Sequence, residues 1–310
     1  MTKIVVLLST YNGEKYLKEQ IDSILKQTVS KDIYLFVRDD GSKDNTVNIL
    51  EEYKNKKLLF YYIGKNLGST NSFFDLLIKA PKADFYAFAD QDDYWFTNKL
   101  EFGVNEIKEI TAPVLFYSKK CIVNQDLKPI DIKDLSPKFD IFSNFIFPNS
   151  AYGCTMVFNR ALYDILVSYP KLTNLPKEKY REVFHDSWTF KTALLLGKIV
   201  YSEKDSILYR QHKNNSIGAA KEKNLFSKIK DFDFSLSRYR NLQFTTIYAN
   251  LILDAYKNKL KKKDLELIDL LANAKHNYKK RLSLFFYPGP KQCKLYEVIW
   301  AKIKILFGWL

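Results

Sequence analysis

Residues 88–95 read Phe-Ala-Asp-Gln-Asp-Asp-Tyr-Trp, and no other stretch constrains the fold as strongly. The apolar and aromatic run just before the acidic residues, from Asp84 to Ala89, is typical of a buried strand. The carboxylates of Asp90, Asp92 and Asp93 therefore gather at one strand end, where they repel each other unless a cation lies among them. Carboxylate oxygens are the ligands that Mg²⁺ and Mn²⁺ prefer. The stretch thus predicts a metal site, with a solvated turn of helix-capping aspartates as the alternative.

Strands alternate with helices in the chain before Asp90. Apolar strand patterns cover residues 3–8, 33–37, 58–63 and 84–89, and the segments between them repeat apolar residues at the helical spacing. This order predicts an α/β fold with right-handed crossovers and a mostly parallel, Rossmann-like sheet flanked by helices. Ligands of such sheets bind beyond the carboxyl ends of the strands.

A polar cluster follows each of these strands, in residues 9–12, 39–42, 66–68 and 90–93. Because parallel strands end at a shared edge, all four clusters are expected along one side of the sheet. The sequence has neither a Gly-x-Gly-x-x-Gly after the first strand nor a Gly-Lys-Ser/Thr loop, which argues against a dinucleotide dehydrogenase and a P-loop enzyme. Without such a glycine-rich cradle, a metal held by Asp92 is the expected counter-charge for a phosphate ligand.

The motifs Ser9–Asn12, Asp39–Ser42 and Asp90–Asp93, at these spacings, resemble those of glycosyltransferase family 2, which has the GT-A fold. His185-Asp186 and the run Tyr209–His212 add a likeness to bacterial rhamnosyltransferases that build cell-wall and capsular polysaccharides. The resemblance implies an inverting, metal-dependent sugar transfer. It implies L-rhamnose from dTDP-L-rhamnose as the first candidate donor, with another UDP- or dTDP-sugar (glucose, galactose or N-acetylhexosamine) as the alternative.

The same resemblance implies a GT-A catalytic domain over residues 1–220 and a nucleotide-sugar site at its strand ends. Tyr11 and Asp40 correspond to the residues that hold the base, since an aromatic ring stacks on a base and a carboxylate accepts its imide N–H. The alternatives are a core-facing ring for Tyr11 and a structural turn role for Asp39. The implied donor-binding residues are Ser9, Thr10, Tyr11, Asp39, Asp40, Asn66, Asp90 and Arg210.

Asp92 is implied as the principal ligand of Mg²⁺ or Mn²⁺, with Asp90 and His212 completing the set. For His212 and Arg210 the alternative is a basic surface loop. An inverting transferase also needs a carboxylate base on the acceptor side of the sugar, and the candidate is Asp186. Asp186 begins a helical pattern, so the alternative is an N-terminal helix cap. His185 is a candidate for orienting it.

Residues 221–310 form a basic helical extension in this interpretation, with 19 Lys/Arg against 8 Asp/Glu, whereas the first 220 residues hold 30 against 27. The terminal segment carries Trp300, Trp309, Lys302 and Lys304, a composition suited to an anionic membrane interface. A peripheral position at the cytoplasmic face of the bacterial plasma membrane fits a lipid-linked oligosaccharide or polysaccharide acceptor. The alternatives are a helix packed on the core and an oligomer contact.

Composition bounds the other function classes. The 310 residues are 46% hydrophobic and include three scattered cysteines, which fits a globular protein of a reducing cytosol without a disulfide framework. Neither a signal peptide nor a stretch of about 20 apolar residues is expected. A nucleic-acid-binding protein explains the basic extension but not the acidic strand ends. A nucleotidyltransferase normally has a glycine- and basic-rich loop after the first strand, where this chain has Ser-Thr-Tyr-Asn-Gly.

Overall fold

The structure is a computed structural model that describes residues 2–131, 137–147, 151–169, 172, 183–212, 243–289, 293 and 295–307. The chain divides into two compact units. The first comprises Met1–Asp131, Ala151–Ala193 and Gly197–Ala219, and the second comprises Ile132–Ser150, Leu194–Leu196 and Ala220–Leu310. The functional division into a catalytic domain over residues 1–220 and a basic helical region over residues 221–310 stays a prediction.

The first unit is built on one eight-stranded sheet with the order β3-β2-β1-β4-β7-β6-β8-β5. Strands β1 to β4 are parallel to their neighbours within this group, β6 pairs with β8 in parallel, and the pairs β4–β7, β6–β7 and β5–β8 are antiparallel. The predicted α/β class with a mostly parallel sheet is confirmed. The strands are β1 Ile4–Thr10, β2 Ile33–Asp39, β3 Phe60–Ile63, β4 Phe85–Asp90, β5 Tyr94–Trp95, β6 Val114–Val123, β7 Val157–Asn159 and β8 Lys198–Arg210.

The parallel strands end in register, and this places the polar clusters together. Thr10 of β1 pairs with Asp39 of β2, and Ser9 pairs with Asp90 of β4. The preceding residues of β1 and β4 are almost fully buried, because helices cover the sheet and apolar side chains gain by leaving water. The expectation that the clusters at the ends of β1, β2 and β4 share one sheet edge is confirmed.

Helices of the first unit connect these strands, and their apolar faces follow the sequence pattern. On the first of them, Leu17, Ile21 and Ile24 are fully buried, as their spacing predicts. The helices are α1 Leu17–Leu25, α2 Thr46–Asn55, α3 Ser69–Lys79, α4 Lys99–Ile107, α6 Arg160–Val167 and α7 His185–Leu196, of which the last three residues fall in the second unit.

Strand β8 extends well beyond the apolar residues with which it begins. After residue 201 the chain turns polar but stays extended to Arg210 along β6. The register shifts after Ser118 and after Lys119 of β6, which lets the polar middle of β8 bulge without ending the pairing. As a result, β8 carries the residues after Tyr209 directly to the sheet edge.

The second unit contains α5 Ile141–Ile146, α8 Gln243–Tyr256, α9 Lys262–Asn273, α10 Tyr278–Phe286 and α11 Leu295–Phe307. Its core includes Ile252, Ile268, Leu271 and Ile305, each almost completely buried. Among the described residues of the whole chain, no helix combines the length and apolar character needed to cross a bilayer.

Candidate active site

Gln91 ties the end of β1 to the acidic loop after β4. Its Oε1 accepts hydrogen bonds from the Tyr11 amide at 2.8 Å and from Thr10 Oγ1 at 2.6 Å, and its Nε2 donates to the Tyr11 carbonyl at 3.1 Å. Gly13 leaves room for this amide, since a Cβ at that position would lie 2.4 Å from Gln91 Oε1. The Tyr11 side chain is 42% exposed and is available to a ligand at this edge.

The two aspartates at the end of β2 are buried and accept hydrogen bonds from nearby amides. Asp39 accepts from the Gly41 and Ser42 amides at 3.0 and 2.9 Å and from the Ser42 hydroxyl, which is the bonding of a turn aspartate. Asp40 accepts from the amides of Leu67 and Gly68 at 2.7 and 2.8 Å. Their binding of a nucleotide-sugar, and the contact of Asp40 with the base, stay predictions. Asn66 is exposed in the same β3–α3 connection that Asp40 holds.

Arg38 is a buried cation that organises this edge. Its guanidinium pairs with Asp40 at 2.5 Å and with Asp75 at 2.9 Å, and it donates to the Lys65 carbonyl at 2.9 Å. It also donates to Ser72 Oγ at 2.9 Å, and Ser72 in turn bonds Ser9 Oγ at 2.5 Å. The hydrogen-bonded ion pairs compensate the burial of the charge, so Ser9 lies at the end of a fixed polar network.

Asp90 ends β4, and Asp92 in the following loop contacts His212. His212 Nε2 lies 2.7 Å from Asp92 Oδ2. Burial, and then the charges of Asp92 and Asp186, raise the pKa of Asp90 to about 7. Asp186 is therefore electrostatically coupled to the acidic corner, although it is far from it in sequence.

Asp93 faces the interior beneath this corner. It is fully buried and accepts a hydrogen bond from the Arg210 amide at 3.2 Å, and burial followed by the charges of Asp92 and Asp90 raises its pKa well above the ordinary value. Lys99, also buried, lies with Nζ 3.7 Å from the centre of the Trp95 ring. Burial lowers the pKa of Lys99 to about 7, while Cys154 and Asp93 act in the opposite direction.

The Arg210 guanidinium holds several protein groups at once. It donates to the backbone carbonyl of Asp92 at 2.8 Å and also to the Gln125 carbonyl and the Glu19 carboxylate. Its Cζ lies 4.4 Å from the centre of the Tyr16 ring, and the side chain is almost fully buried. These contacts support an indirect role, in which Arg210 fixes the Asp92 loop, and its direct binding of a nucleotide-sugar stays a prediction.

Asp186 lies in the first turn of α7 and is half-buried. Burial raises its pKa to about 6, against the opposing effects of the Ser187 and Gly153 amides and of Lys191. The Ser187 amide donates to Asp186 Oδ1 at 2.5 Å. Asp186 is thus a partly desolvated carboxylate whose affinity for a proton suits a base near neutral pH.

His185 packs between aromatic rings and does not orient Asp186 through a hydrogen bond. Its ring stacks on Phe73 with centroids 3.8 Å apart and meets Phe88 edge-on at 4.8 Å. Within the described part of the chain, neither ring nitrogen has a hydrogen-bond partner, and burial lowers the pKa of His185 to about 3. A Cβ on Gly153 would lie 2.6 Å from His185 Nε2, so this glycine permits the close packing.

Asp90, Asp93 and Cys154 form a set of donors that could hold a cation, since their donor atoms lie within 4.8 Å of one another. The set of Asp90, Asp92 and His212 stays a prediction, in which Asp92 and His212 are in contact. The Cys154 thiol is a poor ligand for a hard cation because burial raises its pKa and favours the protonated form. Carboxylate oxygens suit Mg²⁺ or Mn²⁺, and the raised pKa of Asp90 marks a site where a cation would relieve repulsion.

Pattern reading missed Gln91, Arg38 and Glu19 as parts of the site. A signal existed for Arg38, because a charge directly after the apolar residues 35–37 of a predicted strand must find buried partners. No local signal identifies Glu19, since its partner Arg210 is 191 residues away.

The fold and the acidic strand-end site together define a sugar-transfer enzyme of the GT-A type. The model of Glycosyl transferase family 2 matches residues 5–164, about half of the chain. A Shigella flexneri protein, dTDP-rhamnosyl transferase RfbG, is 31% identical over 228 residues, which cover 68% of this chain and 74% of the relative. The chain therefore belongs to glycosyltransferase family 2 and is a glycosyltransferase related to rhamnosyltransferases.

Two further comparisons concern TarS of Staphylococcus aureus. The poly(ribitol-phosphate) beta-N-acetylglucosaminyltransferase TarS of strain MW2 is 28% identical over 169 residues, 53% of this chain and 30% of the relative. The crystal structure of S. aureus TarS 1–349 in complex with UDP-GlcNAc superimposes with a TM-score of 0.60 at 20% identity, covering 98% of this chain and 82% of that one. At this identity the superposition supports the GT-A fold.

Proposed function

We propose that this enzyme is an inverting glycosyltransferase that moves a sugar from a nucleotide-sugar to an acceptor hydroxyl, with Asp186 as the base. The observation that carries the proposal is the coupling of Asp186 to Asp90, because the Asp186 charge contributes to raising the Asp90 pKa. A base candidate and an acidic donor corner then belong to a single site. Family 2 membership supplies the reaction class.

The donor binds along the strand ends in this proposal. Tyr11 stacks on the base, supported by its exposed ring, and the network through Arg38 and Ser72 holds Ser9 near the ribose. Asp92, Asp90 and His212 would hold Mg²⁺ or Mn²⁺ against the diphosphate. When bound, this cation neutralises charge that develops on the leaving group.

Asp186 removes the proton from the attacking hydroxyl. The bond from the acceptor oxygen to the anomeric carbon forms as the bond to the diphosphate oxygen breaks, and the acceptor proton goes to a carboxylate oxygen of Asp186. A base on the face opposite the leaving group gives inversion at the anomeric carbon. The raised pKa of about 6 makes Asp186 a stronger base than an exposed aspartate while leaving it mostly ionised at neutral pH.

The first candidate donor is dTDP-L-rhamnose, because the relative from Shigella flexneri carries the name dTDP-rhamnosyl transferase. Another UDP- or dTDP-sugar is the alternative, which the similarity to the N-acetylglucosaminyltransferase TarS supports. For the acceptor, we propose a lipid-linked oligosaccharide or polysaccharide of the bacterial surface, such as a capsule or cell-wall polymer. The enzyme would then work from the cytoplasm at the inner face of the plasma membrane.

A screen of nucleotide-sugars with Mg²⁺ or Mn²⁺, starting from dTDP-L-rhamnose, tests the function. We expect release of the nucleoside diphosphate and inverted anomeric configuration in the product, read by NMR. The absence of binding and turnover with every nucleotide-sugar would refute the proposal.

Two substitutions test the assigned roles. Asp92→Asn is expected to abolish cation-dependent nucleotide binding, and Asp186→Asn to retain donor binding but lower transfer at least about 100-fold, the scale of a lost general base. Asp164→Asn, at an exposed site on α6, is the matched control and is expected to keep wild-type activity. Full activity of Asp186→Asn would refute the assignment of the base.

A further inference from the structure

Helix α10 exposes a row of large apolar side chains. Tyr278, Leu282 and Phe286 are 67%, 37% and 74% exposed. They are spaced four residues apart, so they lie along one side of the helix. Leu284, on the other side, is completely buried and anchors the helix in the second unit.

Helix α11 adds a second apolar row, because Leu295, Ile299 and Leu306 are 76%, 49% and 43% exposed and their spacing of four and seven residues places them on one face. Helices α10 and α11 pack against each other. We call their exposed apolar residues the two-helix surface; it consists of Tyr278, Leu282, Phe286, Leu295, Ile299, Leu306 and Phe307.

The polar side chains of α11 are directed into the protein instead of into water. Glu297 pairs with Lys138 at 3.2 Å, and both side chains are largely buried. Lys304 is 4% exposed, and burial lowers its pKa to about 8. Lys302 Nζ donates to the carbonyls of Phe285, at 2.5 Å, and Tyr287 at the end of α10.

A surface helix in water buries its apolar face and exposes its charges. Helix α11 buries Ala301 and Ile305, but its charged side chains contact the protein and a second apolar row is exposed. Of the 15 large apolar side chains that are exposed in the described residues, seven belong to the two-helix surface. Such a concentration marks an interaction site and is not a random scatter of exposed residues. Lys302 and Lys304, which the sequence suggested as lipid contacts, instead hold α11 in place.

The charge around this surface selects the kind of partner. Residues 275–310 contain eight Lys/Arg and one acidic residue, Glu297, which is paired with Lys138. Six Lys/Arg remain when Lys302 and Lys304, which are held inside, are left out. A second copy of the chain would bring the same positive charge and be repelled, whereas an anionic lipid surface offers both negative charge and an apolar layer. The exposed Lys279 on α10 is suited to contact lipid headgroups.

We propose that α10 and α11 dock the enzyme on an anionic lipid bilayer, with the two-helix surface inserted at the level of the headgroups. The docking proposal rests on the proposed function, because docking would give the enzyme access to a lipid-linked acceptor. The helices lie in the interface without spanning it, because an apolar face a few residues long buries only into the boundary of the acyl chains.

Vesicle sedimentation of the full chain tests the docking. Wild-type protein is expected to bind vesicles of phosphatidylcholine with about 30% phosphatidylglycerol, and to bind pure phosphatidylcholine at least about tenfold more weakly. The triple variant Phe286→Ser, Leu295→Ser, Phe307→Ser is expected to lose at least about tenfold in vesicle affinity. The control variant Leu58→Ser, Ile63→Ser, Ile130→Ser changes exposed apolar residues of the first unit and is expected to bind like wild type.

Three outcomes would overturn the docking proposal: no vesicle binding by wild type, equal binding by the triple variant, or a wild-type dimer in sizing that the triple variant abolishes. Circular dichroism and nucleotide binding verify that each variant is folded. Vesicle binding without any nucleotide-sugar binding in wild type would refute the proposed function and leave the docking intact. Nucleotide-sugar turnover on a soluble acceptor without vesicle binding would refute the docking and leave the proposed function intact.

Discussion

At the scale of single residues, Gln91 lies between two carboxylates but directs its amide to the backbone of Tyr11. Three hydrogen bonds fix that amide, and each would be lost with the side chain. Tyr11 is the proposed platform for the base, while Asp90 and Asp92 belong to the proposed cation corner. Gln91 therefore sets the separation of the two ends of the donor site.

We expect Gln91→Ala to raise the KM for the donor about tenfold, which corresponds to one or two lost hydrogen bonds, with a smaller change in kcat. Steady-state kinetics with varied donor measure this. Gln125→Ala is the matched control, because its amide bonds Lys15 and Tyr16 instead of the Tyr11 backbone. An unchanged donor KM in Gln91→Ala would contradict the positioning role.

Asp186 gives the reaction a pH dependence. Because its pKa is raised to about 6, the carboxylate is protonated below that pH and cannot accept the acceptor proton. At saturating cation, kcat/KM is expected to fall about tenfold per pH unit below pH 6 and to level off above it. Circular dichroism at each pH separates this loss from unfolding. A flat profile from pH 5 to pH 7 would argue against Asp186 as the base.

The apolar run before Asp90 and Asp92 was sufficient to select these two carboxylates, because their place at a strand end is a local property. Asp186 and His212 were selected through the family resemblance, and the structure couples Asp186 to Asp90 and pairs His212 with Asp92. The partners of Arg210 could not be predicted in this way. Its guanidinium contacts Glu19 and two backbone carbonyls only after distant segments of the chain have packed together. Such contacts cannot be predicted from a local sequence motif.

At the scale of elements, the connection from β3 to α3 depends on Gly64. A Cβ there would lie 2.3 Å from Arg38 Nη2 and 2.7 Å from its Cζ. Arg38 cannot easily move, because its ion pairs with Asp40 and Asp75 are buried. Displacing it would leave buried charges without their partners.

Gly64→Ala is therefore expected to lower the free energy of unfolding by about 2–4 kcal/mol, measured by urea denaturation. Gly68→Ala is the control in the same connection. Gly68 has φ of +79° but open space around the added Cβ, so a loss of only about 1 kcal/mol is expected. Equal losses in the two variants would show that the Arg38 contact is not the cause.

The elements were not equally predictable. Strands β1 to β4 are short apolar runs between helices, and the sequence placed all four. Strands β6 and β8 carry polar residues such as Ser118, Lys120 and Asp205, and their pairing skips residues twice. Periodicity is lost at such bulges, and antiparallel partners such as β7 are chosen by tertiary packing, which a local pattern does not encode.

At the scale of the whole molecule, buried Lys99 links stability to pH. Its pKa in the folded chain is about 7, below the ordinary value of 10.5. Between these values the unfolded chain binds more protons at this site, so the free energy of unfolding contributed by Lys99 rises with pH. For a single buried lysine, the free energy of unfolding rises by about 1 kcal/mol per pH unit in this range.

Lys99→Met removes this contribution, because methionine binds no proton in either the folded or the unfolded chain. Urea unfolding at pH 7.5, 8.5 and 9.5 is expected to give a steeper increase of stability in wild type than in Lys99→Met. Lys31→Met, at an exposed position, is expected to keep the wild-type slope. Parallel slopes for wild type and Lys99→Met would contradict the link.

The long reach of Arg210 has a consequence for how the enzyme is made. Strands β1 to β4 are encoded in the first 90 residues and can pair while the rest of the chain is still being synthesised. Glu19 and the Asp92 carbonyl, by contrast, receive their donor only when residue 210 has left the ribosome. A nascent chain could therefore have the paired strands β1 to β4 without the Arg210 contacts that hold the Asp92 loop. We expect a chain that ends before residue 210 to transfer sugar poorly for this reason.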